Sequence, residues 1–335
     1  MAPKVTIKTV AAQAGVSEAT VSRALNDSPQ VKPATRRRIR QLAQDLGYHP
    51  NGLARSIRTQ RTNTLGVIIP DILNNFFTKI SRAIEDTAAQ AGYNVLLVNT
   101  DEHLDREADA IDLMLEKQAA GIIIASAGDA TDYATRLGTT PAVFVDRMPP
   151  AQLVPHFDRI LVDNIRGTQE LVSEMLAQGA QRIGILNSAV STTATERLTG
   201  YHQALKRAGI AFDPAIEVAA RSDNSNVAQM TRQLLVNQQC DGLLAADNTI
   251  ANGVLRKLPD LHLHGVHLGS FDDQDWFDFL PQPIVTAKQP IAAIGQTAVE
   301  RLIARINEPT LAPEEFRLTA QIITHRLTAD QVQTD

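Results

Sequence analysis

From Thr64 onward the chain alternates short, continuously apolar runs with longer amphipathic stretches, and no other feature constrains its fold as strongly. TLGVIIP, YNVLLVN, GIIIAS and AVFVD read as strands apolar on both faces, the pattern of a parallel sheet covered by helices on each side. FTKISRAIEDTAAQAG and READAIDLMLEKQ, which lie between them, carry the periodicity of covering helices. A second series is read as opening with RILVD and continuing through NIRGTQELVSEMLAQG, RIGILN, ATERLTGYHQALKRAG, AQMTRQLLVNQ, DGLLAAD, an ANGVLRKL helix and HGVHLGSF. Two doubly wound α/β lobes are implied. Open sheets of this kind bind ligands beyond the carboxyl ends of their strands, so a site is expected in the crevice between lobes.

The first 62 residues follow different rules. They hold eleven Lys and Arg against Glu18, Asp27 and Asp45, a balance of +8, while the remaining 21 basic and 34 acidic residues sum to −13. One end thus suits a polyanion and the other does not. Thr6 can cap a helix from Ile7 to Ala14, Gly15 supplies a turn, and Ser17 caps a second helix to about Leu25. That spacing predicts a helix-turn-helix. Pro33 opens a third helix with Ile39, Leu42 and Leu46 on one stripe and Gly47 at its end. The second helix presents Glu18, Ala19, Thr20, Ser22 and Arg23, short side chains with one long donor, as a major-groove reader needs.

VTIKTVAAQAGVSEATVSRALN, followed by VKPATRRRIRQLAQDLGYHPNGLARSI, resembles the LacI/GalR (lactose-repressor) family over the whole head. The resemblance maps operator reading onto Glu18, Ala19 and Arg23, and Thr6, Ser17, Thr20, Ser22 and Asn26 complete the expected DNA-binding set of the head. Glu18 stands where Thr, Tyr or Met is commoner; it either accepts from cytosine N4 or favours the helix N-terminus electrostatically. PNGLARSI is too short to be a stable helix alone. By resemblance it is a hinge helix that orders on DNA, with Ile57 as the minor-groove wedge and Asn51, Ala54, Arg55 and Arg58 beside it.

The similarity continues almost to the C-terminus, where the family carries a two-lobed, periplasmic-binding-protein-like sensor. The expected division is an all-α DNA-binding domain at 1–49, a hinge at 50–62, and an effector-binding domain at 63–335. Its N-lobe is placed at about 63–162 plus 291–320 and its C-lobe at about 163–288 plus 321–330. The resemblance places Phe76, Arg197, Asp247 and Asp272 at the effector site, and position and side-chain chemistry add Asp71, Arg147, Trp276 and Gln289. Phe76 faces the cleft with Phe77 in the core, or both are core. Arg147, in VFVDR with Asp146, either clamps a ligand or ties the lobes together. Trp276 either stacks on a sugar ring or plugs the fold.

The expectation is a homodimeric repressor on a pseudo-palindromic double-stranded operator, controlled allosterically by a small molecule, a sugar or sugar acid by the balance of donors and acceptors. Alternatives are the same regulator with a phosphoprotein or purine co-regulator, and a non-catalytic sugar-binding protein. Nothing reads as a cofactor site: GxSxG, Walker and GxGxxG signatures are missing, and DDQDWFD lacks the Gly and terminal Glu of a calcium loop. His262 and His264, placed on a strand, and His267 lack the partners of a metal set. The single cysteine, Cys240, reads as an apolar filler. With no heptad tail, no signal peptide and no membrane-length apolar run, a cytoplasmic dimer that is not an enzyme is expected.

Overall fold

Thr6 opens the first helix, α1 (Ile7–Ala14), through a reciprocal pair of bonds in which its side chain accepts from Thr9 N and the Thr9 hydroxyl accepts from Thr6 N. The computed structural model describes residues 5–25, 27–48, 62–128, 132–147, 153, 156–188, 192–221 and 223–326. The chain divides into two units, 1–62 and 63–335.

In the first unit Gly15 ends α1 in the left-handed region at φ 64°. Ser17 Oγ accepts from Thr20 N at 3.2 Å and starts α2 (Glu18–Leu25), and Pro33 starts α3 (Pro33–Asp45). Val10, Val21, Ala24 and Ile39 are fully buried in the small core these helices share. Two basic residues of α3 brace the turns instead of standing free. Arg38 donates to Ala14 O at 2.8 Å and Arg36 to Ser28 O at 2.8 Å, satisfying carbonyls that the helix ends and turns leave open.

The second unit begins with β1 (Thr64–Ile69), α4 (Asn75–Gln90), β2 (Asn94–Asn99), α5 (Leu104–Glu116), β3 (Gly121–Ile124), α6 (Tyr133–Leu137), β4 (Ala142–Val145) and β5 (Asp158–Val162). It continues with α7 (Asn164–Ala177), β6 (Ile183–Ser188), α8 (Thr192–Arg207), β7 (Glu217–Ala220), α9 (Val227–Arg232), β8 (Gly242–Ala245), α10 (Asn248–Leu261), β9 (His267–Phe271) and β10 (Ile284–Lys288). The last described elements are α11 (Ile291–Asn307), β11 (Glu315–Leu318) and β12 (Gln321–His325). Among the described residues the strands form two six-stranded sheets, ordered β11-β5-β4-β3-β1-β2 and β12-β10-β9-β8-β6-β7. All neighbours pair parallel except β10 with β12. The chain passes between sheets after β5, β10 and β11, so α11 packs on α4 and the first sheet although it follows the second.

Three local readings need correction. RILVD is β5, paired with β4 and β11 in the first sheet, and does not open the second series. A uniformly apolar run carries no mark of which sheet it joins. His262 lies on no strand: it ends α10 at φ 49°. AQMTRQLLVNQ is not one regular helix, because α9 passes into a π-helical turn at Gln233–Asn237 whose extra residue lets Leu234 and Leu235 both face the core.

Two glycines set how closely helices pack. A Cβ on Gly200 of α8 would lie 2.4 Å from the Ile165 carbonyl oxygen on α7, and one on Gly295 of α11 would lie 2.6 Å from Ala83 Cβ on α4. Cys240 is buried against Gly184, and burial pushes its thiol up to about 11, which keeps it unreactive.

Candidate functional site

The carboxyl ends of the strands in both sheets face one cavity. From the first lobe, β1 delivers Asp71, α4 delivers Phe76 and Phe77, β2 leads to Glu102, and β4 leads to Asp146 and Arg147. From the second, α8 delivers Arg197, β8 leads to Asp247, β9 to Asp272 and β10 to Gln289. Loops after parallel strands converge here because the strands of each sheet run the same way and end on the same side.

Three of these acids sit on left-handed backbone: Glu102 at φ 59°, Asp146 at φ 64° and Asp272 at φ 79°. Non-glycine residues pay for that conformation, and such strain concentrates where side-chain direction matters. Asp146 is 7% exposed, and burial raises its carboxyl to about 6 even though Arg147 and Arg197 pull it down. Burial likewise raises Asp272, against the opposing pull of Arg197 and a hydrogen bond donated by Gln289 Nε2. Both acids are therefore costly to keep ionised, and donors from a ligand would relieve that cost.

Arg197 is 6% exposed and held on three sides. Nε donates to Asn164 Oδ1 at 2.9 Å, Nη1 to Ala246 O at 2.6 Å, and the guanidinium stacks 3.9 Å from the Phe271 ring centroid. Arg147 is held as firmly. Its Nη1 and Nη2 donate to the two carboxylate oxygens of Glu102 at 2.6 and 2.7 Å, and Nη1 also reaches Ser126 O at 3.0 Å. It spans elements of one lobe and does not tie the two together. Asp247 caps α10, accepting from Ile250 N at 2.8 Å and Thr249 Oγ1 at 2.7 Å. Asp71 accepts from Leu73 N at 2.8 Å. Gln289 Oε1 is buried without a hydrogen-bond partner among the described residues.

Seven of the eight residues expected at the effector site thus line one cavity, and Trp276 does not. It is 41% exposed on the 3-10 turn Asp275–Phe279, packed edge-on against Phe277 with centroids 4.7 Å apart. Proximity in sequence to Asp272 misplaced it, since the turn carries the ring away from the strand end. Phe76 and Phe77 both line the cavity, edge to face at 5.2 Å. The sequence reading missed Glu102, Asn187, Arg221 and Asn224. Glu102, Arg221 and Asn224 follow strand ends, where that rule applied to every strand would have found them, and Asn187 is the penultimate residue of β6.

In the head, Glu18, Ala19 and Arg23 are exposed on α2, Thr6 and Ser17 are exposed caps, and Thr20 and Ser22 are half-buried. Asn26, Asn51, Ala54, Arg55, Ile57 and Arg58 lie outside the described residues.

Residues 6–51 match the bacterial regulatory proteins of the lacI family, and residues 62–326 match the periplasmic binding proteins and sugar binding domain of the LacI family. The HTH-type transcriptional repressor CytR of Escherichia coli (strain K12) is 33% identical over 313 residues, covering 89% of each chain. The sucrose operon repressor of Klebsiella pneumoniae is 32% identical over 85% of this chain and 87% of its own. A crystal structure of the lac repressor dimer bound to operator and the anti-inducer ONPF has a TM-score of 0.83 at 26% identity, covering 96% of this chain and 98% of that one. With both family matches laid end to end over a helix-turn-helix and a two-lobed cleft, the chain belongs to the LacI family and is a DNA-binding transcriptional regulator with a small-molecule sensor domain.

Proposed function

We propose that this regulator is a homodimeric repressor that binds a pseudo-palindromic operator and senses a sugar or sugar acid in the inter-lobe cavity. The observation that carries the reading is the convergence of Asp146, Arg147, Arg197 and Asp272 from both lobes on one polar cavity beside the Phe76 and Phe77 rings. Alternating carboxylates and forked donors beside an aromatic wall suit ring hydroxyls, whereas a purine would call for two flat plates on opposite sides. The lac repressor, solved as a dimer on its operator with an anti-inducer, supports the oligomer and the partner.

Ligand and operator would each favour one disposition of the lobes, so by linkage each alters the affinity for the other. Arg23 is the proposed base reader, and Ile57 the wedge that depends on whether the hinge folds. The protein would act in the cytoplasm, where the operator is, and would bind its ligand without turning it over.

Thermal-shift screening of sugars, sugar acids, sugar phosphates and purines, followed by anisotropy titration on the upstream region of its own gene with and without the hit, tests the reading. A sugar that stabilises the protein and changes operator affinity is expected. Stabilisation by purines alone would overturn the ligand class, and operator binding indifferent to every stabilising ligand would overturn the coupling.

A further inference from the structure

Arg147 is the first lobe's guanidinium at the cavity, and its two terminal amines are already occupied. Glu102 takes both, fork to fork, at 2.6 and 2.7 Å. Nη1 also donates to Ser126 O at 3.0 Å, the buried Nε lies 3.9 Å from Asp146 Oδ2 with no hydrogen-bond partner among the described residues, and the Phe77 ring centroid is 5.5 Å from the guanidinium carbon. Within the pair, the Arg147 side chain is 14% exposed and that of Glu102 37% exposed. Glu102 is thus the more exposed member of the pair.

Glu102 is held in that position by a left-handed backbone at φ 59°, directly after Asp101 at φ 51°. The wider lining points the same way. Among the described residues the cavity is lined by Asp71, Glu102, Asp146, Asp247 and Asp272, five carboxylates, against the three guanidiniums of Arg147, Arg197 and Arg221. A ligand carboxylate entering this wall would have to displace Glu102 to take both terminal amines of Arg147 as a fork.

We propose that Glu102 sets the charge class of the effector: by holding both terminal amines of Arg147 it makes the cleft select a neutral polyol over the corresponding sugar acid. The inference rests on the sugar-sensing reading above and narrows it to the neutral member. Glu102 acts as a specificity residue through repulsion as well as through Arg147.

The test compares wild type, Glu102→Gln, which keeps size and an acceptor oxygen, and Glu102→Asp, which keeps the charge. Binding is titrated against D-glucose and D-glucuronate, D-galactose and D-galacturonate, and D-ribose and D-ribonate. For whichever pair binds, wild type favours the neutral member, and Glu102→Gln moves the ratio of the two dissociation constants toward the acid by about tenfold or more. Glu102→Asp retains the wild-type sign. A ratio unchanged by Glu102→Gln, an equal loss for both members, or a wild type that prefers the acid overturns the proposal.

A second arm needs no sugar. Sodium phosphate, against sodium chloride at equal ionic strength, gives Glu102→Gln a saturable thermal shift that wild type lacks and that Arg147→Ala added to the variant removes. Equal phosphate response in wild type and Glu102→Gln also overturns the proposal. If no sugar binds wild type while the phosphate arm behaves as stated, the charge role stands and the sugar reading falls.

Discussion

Asn248 Nδ2 donates to Asn74 Oδ1 at 2.8 Å, joining the first residue of α10 in one lobe to the N-cap of α4 in the other. Asn248 is 2% exposed, and its own Oδ1 has no partner among the described residues. Asn74 keeps Phe76 N as a second partner at 3.0 Å, so deleting Asn248 leaves it satisfied. Asn248→Ala should therefore weaken lobe closure by about 1 kcal/mol, lowering effector affinity roughly fivefold with little change in melting temperature. Calorimetric titration beside a thermal melt checks this, and an unchanged affinity would remove the contact from the closure equilibrium.

Arg197 links three elements at once, through Asn164, Ala246 O and the Phe271 ring. Arg197→Lys preserves the charge but neither the fork nor the flat face. We expect a loss of about 2 kcal/mol in stability by urea titration, and effector binding reduced by about 100-fold or more, roughly 3 kcal/mol. Lysine supporting near-normal binding would show that Arg197 serves only as a charge.

Asp146 makes the stability of the protein pH-sensitive. Its folded pKa, about 6, lies above that of an unfolded aspartate, so its contribution to stability is complete at low pH and is lost as pH rises through about 6. Between pH 5 and 7 wild type should lose about 1 kcal/mol relative to Asp146→Asn, read as the difference between urea titrations of the two proteins. A ligand that donates to the carboxylate prefers the ionised form, so affinity should rise over the same interval in wild type and stay flat in the variant. Parallel stability curves would show that the buried acid does not titrate there.

Exposed Arg23 and the bracing Arg38 make opposite predictions on the same small domain. Arg23→Ala should cost about 1–3 kcal/mol on the operator and little on non-specific DNA, at fixed salt and with the melting temperature unchanged. Arg38→Ala removes the bond to Ala14 O and should lower head stability by about 1 kcal/mol, weakening both kinds of DNA alike. Anisotropy titrations on both DNAs separate the two, and intact specificity in Arg23→Ala would disprove the base-reading role.

Gly200→Ala places a methyl 2.4 Å from the Ile165 carbonyl oxygen and 2.9 Å from Thr168 Cβ, so backbone on α7 has to shift to admit it. A loss of about 3 kcal/mol is expected by urea titration, at the upper end of overpacking costs. Gly209 at φ 71°, with open space about its Cα, should cost less on the same change, through backbone conformation alone.

What the amino-acid sequence determined by itself was everything that short-range chemistry writes down. Thr6, Ser17 and Pro33 mark the starts of α1, α2 and α3 because caps and proline act on the residues beside them. The apolar runs of β1, β3 and β4 became buried strands because burial on both faces requires apolar residues at every position, whereas β2, at the sheet edge, is only half-buried. Strand ends then located most of the cavity. Tertiary structure alone decided that β5 belongs to the first sheet, that the turn after Asp272 takes Trp276 out of the cleft, and that Glu102 reaches across 45 positions of sequence to hold Arg147. Each depends on where distant backbone comes to lie and on the direction a side chain leaves it. Local sequence constrains neither, and so the residue that most shapes the proposed selectivity carries no motif of its own.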